Sequence, residues 1–483
     1  MTIVQYRDKT SETAELVQVA KELHKITQSA GVPLLINDRV DVALAAGVEG
    51  VHVGQDDLDL KSARRILGPD AIIGVTANSE EEALEAARDG ADYLGVGTVY
   101  ATPTKENTKS IIGTSGVQHI LRSLAKGGFN DSPQTVCIGG IHADNVQRVL
   151  YQGSSGKKKL DGVAVVSAIM AATDPQKSAS SLRELISTPP PFATSQMRPH
   201  LARADIVGRA PQIIKRMAEK KPLCHNMTNL VVQNFAAAVC IAIGASPIMS
   251  NNGLEAADLA SLGGSLVINM GTTTPETKLN HLKALAAYNA VGRPTLFDPV
   301  GAGATGQRRE GTRALMSGGY FDVIKGNEGE IRTVAGTTGV KQHGVDSGAS
   351  QLSLEEKIDI VKLTAARERN VVLMTGSMDV ISDGERTFTI TNGHEYLSEI
   401  TGSGCTLGAT IASLLAVERE DKLLAALSGL LMYEIAAERA AQRQDVQGPG
   451  TFVPALIDEL YKIRKESIDG NGDWAEAAKV ENA

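Results

Sequence analysis

Gln5, Arg7 and Lys9 in the segment QYRDK set an amide and two cations at alternate positions, on one side of a strand if extended geometry continues through them. That trio suits an anion; a solvated strand end would read the same. Asp38 in INDR and Asp57 in HVGQDD are two carboxylates able to hold Mg²⁺ against a diphosphate, although two helix N-caps also use Asp. Thr102, Thr104 and Lys105 in TPTK offer hydroxyls and a cation to phosphate oxygens. Gly139 and Gly140 in IGGI, and Ser167 in VVS, can bring backbone amides up to a second phosphate.

A second set lies beyond residue 290. In TGSGCTLG the thiol of Cys405 stands at the mouth of a helix, where unpaired amides and the dipole favour negative charge and lower a cysteine pKa. Cys405 is therefore a candidate general base or transition-state contact, against the alternative of a small residue packed at a helix start. Asp298 in DPVG and Glu330 in KGNEGE can organise Mg²⁺ through oxygens and waters, and Lys325 can neutralise phosphate charge; an exposed helix residue is the plain alternative for Glu330. No G-x-x-x-x-G-K-[ST] is present, so phosphoryl transfer here would not use a P-loop.

The elements that must position these residues follow from periodicity. TIVQY, PLLIN, GVHVG, IIGVT, YLGVGTV, TVCIG and GVAVV alternate with amphipathic helical stretches such as 10–30, which implies a parallel sheet. Asn37, Asp38, Gln55, Asp57, Thr102, Lys105, Gly140 and Ser167 all fall at or beyond C-terminal strand ends. Barrel enzymes place their chemistry there, so a (β/α)₈ barrel is preferred to an open sheet. Seven strands are countable, and the missing βα unit is expected to be the first. After residue 204, helical runs at 202–220 and 229–243 and the strands SLVINM, PTLFDPV, FDVIKG and NVVLMTG predict an open α/β sheet with its motifs after the strands.

The chain of 483 residues is about three times the ~150-residue domain prior, which excludes one small module. Three consecutive prolines and Pro199 in STPPPFATSQMRPH mark a linker. The expected division is 1–186, a linker 187–204, 205–465, and a loosely held polar tail 466–483. A net charge of −8 without a long basic block argues against nucleic acid or an anionic membrane as partner. The most apolar stretch, 236–245, is shorter than the ~18 residues of a membrane span. Cys137, Cys224 and Cys240 read as core residues, His24, His119 and His281 as surface or packing residues, and the N-terminus shows no signal pattern, so a cytoplasmic location is expected.

QYRDK, INDR, GVHVGQDD, GVGTVYATPTK, CIGGI and VAVVSAI, in this order over residues 1–186, resemble thiamine phosphate synthase. The resemblance implies a TIM barrel joining hydroxymethylpyrimidine diphosphate to hydroxyethylthiazole phosphate, with release of pyrophosphate. It also implies that Asp38 and Asp57 bind Mg²⁺, that Gln5, Arg7, Lys9 and Asn37 hold the pyrimidine diphosphate, and that Lys105 assists the leaving pyrophosphate. Thr102, Thr104, Gly140, Val166 and Ser167 would bind the thiazole phosphate. Thr76 stands where the family usually has Ser, and the family's first strand is absent ahead of Thr2.

CHNMTNLVVQNF, ASPIMS, FDPVGAGAT, IKGNEGE, LMTGSMDVISDG and TGSGCTLG resemble hydroxyethylthiazole kinase, of the ribokinase-like class, over about 205–465. This implies ATP-dependent phosphorylation of the thiazole's hydroxyethyl group. Cys405 with the amides near Gly402 and Gly404 would face the reacting hydroxyl, and Asp298 and Glu330 the Mg²⁺. Lys325, Asn327, Thr375 and Gly376 would lie near the nucleotide, with Asn229 and Met249 along the thiazole pocket. Lys325 stands where bacterial members often have Arg, and Ala238 replaces a common Asn. The order resembles the fused thiamine biosynthesis enzymes of fungi and implies a homo-oligomer built on kinase-domain trimers, up to a hexamer. Its rivals are a thiazole kinase with an impaired barrel and a non-catalytic precursor sensor.

Overall fold

The computed structural model describes residues 1–102, 110–193, 200–336 and 352–483. The chain divides into two compact units, Met1–Pro190 and Pro191–Ala483.

The first unit is a parallel sheet in sequential order, β1 (Val4–Tyr6), β2 (Leu34–Asn37), β3 (Gly50–Val53), β4 (Ile72–Ala77), β5 (Tyr93–Gly97), β6 (Gln134–Ile138) and β7 (Gly162–Ala164). Helices return the chain between strands, as right-handed βαβ crossovers require. Val51, Val53, Ile73, Val75, Leu94 and Val96 are buried in one core, because strands covered on both faces carry near-continuous apolar runs. Among the described residues β1 pairs only with β2 and β7 only with β6, so the seven strands form an arc with two edges. The sequence count of seven agrees. The expectation that 5, 7 and 9 share one strand face needs correction: β1 ends at Tyr6, because the Asp8 carboxylate accepts the backbone N–H groups of Thr10 and Ser11 and turns the chain.

The second unit carries a nine-stranded sheet built from β8 (Leu223–Met227), β9 (Ser246–Ile248), β10 (Ser265–Asn269), β11 (Thr295–Asp298), β12 (Val323–Asn327), β13 (Val371–Thr375), β14 (Asp379–Ser382), β15 (Thr387–Ile390) and β16 (Val480–Asn482). Their order is β16-β15-β14-β13-β12-β11-β10-β8-β9, with β14, β15 and β16 antiparallel. Alternation assigns the two faces: Val267, Leu296, Val323 and Leu373 join one core, and Ile268, Phe297, Ile324 and Val372 the other. β8 lies between β9 and β10, so the chain reverses its direction of travel across the sheet between β8 and β10, the crevice where open α/β sheets bind ligands.

Two sequence expectations are corrected here. Four strands were expected in this unit, whereas β8 reads as LCHNM, too polar for an apolar run, and β9 and β14–β16 are only three or four residues long. The segment 466–483 is not a loose tail: the helix Pro449–Ile468 enters it, Trp474 is 1% exposed and donates to Ser467 Oγ at 3.0 Å, and β16 extends the sheet. Its polar composition hides one large apolar anchor. At the other end Phe192 stacks on Tyr320 at 4.6 Å between ring centroids.

Candidate active sites

In the first unit the polar residues gather where β1–β3 end. Gln5 donates through Nε2 to Asn37 Oδ1 at 2.7 Å, and Lys9 Nζ lies 3.0 Å from Asp38 Oδ2. Asp38 takes a left-handed backbone (φ 64°), tolerated by Asp where bulkier residues are strained, and its N–H bonds to the His52 carbonyl at 2.8 Å. Asp57 accepts the Gly54 N–H at 2.8 Å, and its carboxyl is pushed up, first by burial and then by the Asp38 carboxylate beside it. Two carboxylates that repel one another and face a lysine fit a divalent cation completed by phosphate oxygens. Arg7 is exposed at the same mouth.

Thr76 sits on β4 and shares a hydrogen bond with His52 Nε2 at 2.9 Å, while Gln55 Nε2 donates to the Thr76 carbonyl. His52 also meets the Tyr93 hydroxyl through Nδ1 at 2.8 Å. It was missed in the sequence, although a lone polar residue in the apolar run GVHV was the available signal. Gly140 follows β6 with φ 62°, and a Cβ there would approach Ala101 O to 2.8 Å, so glycine is needed for the close turn. Val166 is 47% exposed and precedes the short helix Ser167–Met170, whose first residue is the expected Ser167. Thr102 is half-buried; Thr104 and Lys105 lie outside the described residues.

In the second unit a polar network runs along the C-terminal ends of β10, β11 and β12, beside the point where the strand order reverses. Asp298, 1% exposed at the end of β11, faces Lys325 Nζ at 3.2 Å through Oδ1 and accepts Asn269 Nδ2 at 2.8 Å through Oδ2. Burial works to lower the Lys325 ammonium, but the charges of Asp298 and Glu330 outweigh it and the net direction is upward, so the lysine stays cationic. Burial, then the charge of Asp298, pushes the Glu330 carboxyl up to about 7. Glu330 is 4% exposed rather than a surface residue: its oxygens accept the N–H groups of Gly301 and Asn327 at 2.8 Å each. Asn327 Oδ1 returns a bond from Glu330 N at 3.0 Å, a capping box that accounts for the N-x-x-E spacing.

Cys405 lies in the first turn of the helix Ser403–Leu415. Gly402 caps that helix at φ 93°, and a Cβ there would strike Val232 Cγ2 at 2.5 Å. A Cβ on Gly404 would stand 3.4 Å from Lys325 Nζ, which places the lysine end beside the helix start. The expected low thiol pKa is contradicted: burial, reinforced by the Asp298 charge, pushes Cys405 up to about 12. Desolvation outweighs the helix dipole, and at neutral pH the group is a thiol, not a thiolate base.

Asn229, 7% exposed, donates through Nδ2 to Asn269 Oδ1 at 3.1 Å and toward Cys405 Sγ at 3.5 Å. Met249 is half-buried just after β9, beside Ser250, whose carbonyl bonds His225 Nε2 at 2.8 Å. Thr375 ends β13, and Gly376 N donates to Asp379 Oδ1 at 2.8 Å. Asn269 was missed, its signal a terminal amide on the strand SLVIN. Cys137, Cys224, Cys240 and His281 are buried packing residues. Among the described residues no three His, Cys, Asp or Glu side chains gather as a metal-binding group, and no helix is long and apolar enough to cross a membrane.

Comparison with known proteins gives each unit a family. Residues 1–169 match the thiamine monophosphate synthase family and residues 214–466 the hydroxyethylthiazole kinase family. A Schizosaccharomyces pombe protein described as a probable thiamine biosynthetic bifunctional enzyme is 44% identical over 100% of this chain and 93% of its own length. The thiamine biosynthetic bifunctional enzyme of Saccharomyces cerevisiae is 37% identical over 97% of this chain and 91% of its own. The solved hydroxyethylthiazole kinase structure from Pyrococcus horikoshii is 36% identical, covers 57% of this chain and 99% of that one, and superposes with a TM-score of 0.50. With its synthase-family and kinase-family units in the order of these full-length relatives, the chain belongs to the family of bifunctional thiamine biosynthetic enzymes.

Proposed function

We propose that the second unit phosphorylates 4-methyl-5-(2-hydroxyethyl)thiazole with ATP, and that the first couples the resulting phosphate with hydroxymethylpyrimidine diphosphate to give thiamine phosphate and pyrophosphate. The observation that carries this reading is the end-to-end likeness to bifunctional relatives, with polar residues of both units collected at C-terminal strand ends. The working boundaries are 1–186 for the synthase, 187–204 for the linker and 205–483 for the kinase, whose sheet takes in β16.

In the synthase, Asp38 and Asp57 would hold Mg²⁺, which supplies charge neutralisation for the departing diphosphate. Gln5, Arg7, Lys9 and Asn37 orient the pyrimidine diphosphate, Lys105 assists its leaving group, and Thr76 lies beside the pyrimidine. Thr102, Thr104, Gly140, Val166 and Ser167 hold the thiazole phosphate. A leaving group neutralised in this way departs early, so the thiazole nitrogen needs no protein base.

In the kinase, Asp298 and Glu330 would hold Mg²⁺, which would supply charge neutralisation for the transferred phosphate. Lys325, Asn327, Thr375, Gly376 and Gly404 border the nucleotide, while Asn229, Met249 and Gly402 border the thiazole. Cys405 meets the reacting hydroxyl as a neutral thiol that binds and orients it. The assembly is a homo-oligomer based on kinase trimers in the cytoplasm, with small-molecule partners and neither nucleic acid nor membrane.

A one-pot assay with ATP, Mg²⁺, hydroxyethylthiazole and the pyrimidine diphosphate, following both products separately, tests the reading. Asp38→Ala should abolish thiamine phosphate and leave thiazole phosphate untouched. Thiazole phosphate alone from the unaltered chain would select the impaired-barrel reading. Neither product would leave a sensor.

A further inference from the structure

Asn269 ends β10 at the crevice where the strand order reverses, and it is 2% exposed. Its amide orientation is determined by its surroundings: Oδ1 must accept the Gly271 N–H at 2.9 Å, because a backbone N–H only donates. Nδ2 is thereby a donor on both of its hydrogens, to Asp298 Oδ2 at 2.8 Å and Cys405 Sγ at 3.2 Å. Asn229 is locked in the same way, with Oδ1 accepting Val231 N at 3.1 Å and Nδ2 facing Asn269 Oδ1 at 3.1 Å and Cys405 Sγ at 3.5 Å. The sulfur therefore receives two amide donors and cannot give its own proton to either. Its S–H points away from the amide pair. The same Asn269 amide holds one oxygen of Asp298 while Lys325 holds the other at 3.2 Å, which orients the carboxylate.

We propose that Asn269 is a positioning residue for thiazole phosphorylation, setting the Cys405 sulfur as an acceptor so that its S–H is presented to the site, and aiming the Asp298 carboxylate. The proposal rests on the kinase reading above. It deepens that reading by giving the thiol a hydrogen-bond-donor role and naming the group that enforces it. The competing role for Asn269 is a simple brace, in which only the acceptor Oδ1 matters to the end of β10.

Asn269→Asp separates the two, since it keeps an acceptor for Gly271 and Asn229 but removes both donors. Asn269→Ala adds no charge but removes the acceptor as well, so where the acidic variant loses the fold the deciding readout in Asn269→Ala is the Cys405 S–H band, which a simple brace of β10 would leave in place. Both are measured in the full chain, with a melting curve and the synthase activity as controls for folding. The expected result is a drop of roughly 10- to 100-fold in kinase kcat, the range of a lost hydrogen bond to a charged group, with the thiazole KM within about threefold. The S–H stretching band of Cys405, isolated by subtracting the spectrum of Cys405→Ser, should shift in the same variants. An unchanged kcat in a folded variant, or an unmoved band, overturns the positioning role. Absence of thiazole phosphorylation by the unaltered chain would instead overturn the kinase reading itself.

Discussion

Cys405 illustrates how far a residue's chemistry depends on what surrounds it. A helix start alone lowers a thiol pKa, but here the thiol is withdrawn from water beside the Asp298 carboxylate, and the net direction is upward, to about 12. A thiol that stays protonated acts by position, so Cys405→Ser should lower kinase kcat by about tenfold while the thiazole KM changes less, in steady-state assays. A rate equal to that of the unaltered chain would reduce Cys405 to packing. Asp38, Asp57, Asp298, Lys325 and Glu330 could be named as candidates from the sequence because a charged side chain in or just after an apolar strand run stands out locally. Asn269 and His52 were not, since a lone amide or imidazole in a strand is chemically silent until its neighbours are known.

Elements explain features that no single residue carries. The segment after residue 466 contributes β16 and buries Trp474, so the second unit closes on its own C-terminal strand. Trp474→Ala should cost about 3–5 kcal/mol, read as a lower urea midpoint for the kinase unit. The helix Pro275–Ala290 buries His281, whose Nδ1 has no hydrogen-bond partner. Burial, with the charge of His225, holds that imidazole down to about 4. Because the folded value lies below the unfolded one, the contribution is fully present above about pH 6.5 and is lost as pH falls toward 4, up to about 3 kcal/mol. His281→Asn should therefore lose less stability than the unaltered chain between pH 7 and pH 4.5 in denaturant titrations; equal losses would sink this assignment.

At the scale of the molecule, the second unit exposes apolar side chains near Asn229. Leu230 and Val231, next to Asn229, are each 71% exposed and Leu254 is 75% exposed. Exposed apolar residues beside a site line either a ligand groove or a surface for another chain, and the proposed homo-oligomer would use the second. Replacing Leu230 and Val231 together by Glu should shift the mass in light scattering toward a single chain and raise the thiazole KM. An unchanged mass would remove these residues from the subunit contact.

Motif order and periodicity by themselves determined two α/β units, their sequence along the chain, seven parallel strands in the first, and a set of polar and charged candidate residues after the strands. They could do so because glycine turns, charged strand ends and apolar alternation are local properties of neighbouring residues. Tertiary structure alone decided which way the Cys405 thiol titrates, that Glu330 is a buried capping partner, that 466–483 is part of the sheet, and that Asn269 joins Cys405 to Asp298. Each of these depends on desolvation or on contacts between residues distant in the chain, and neither is encoded in the spacing of a motif.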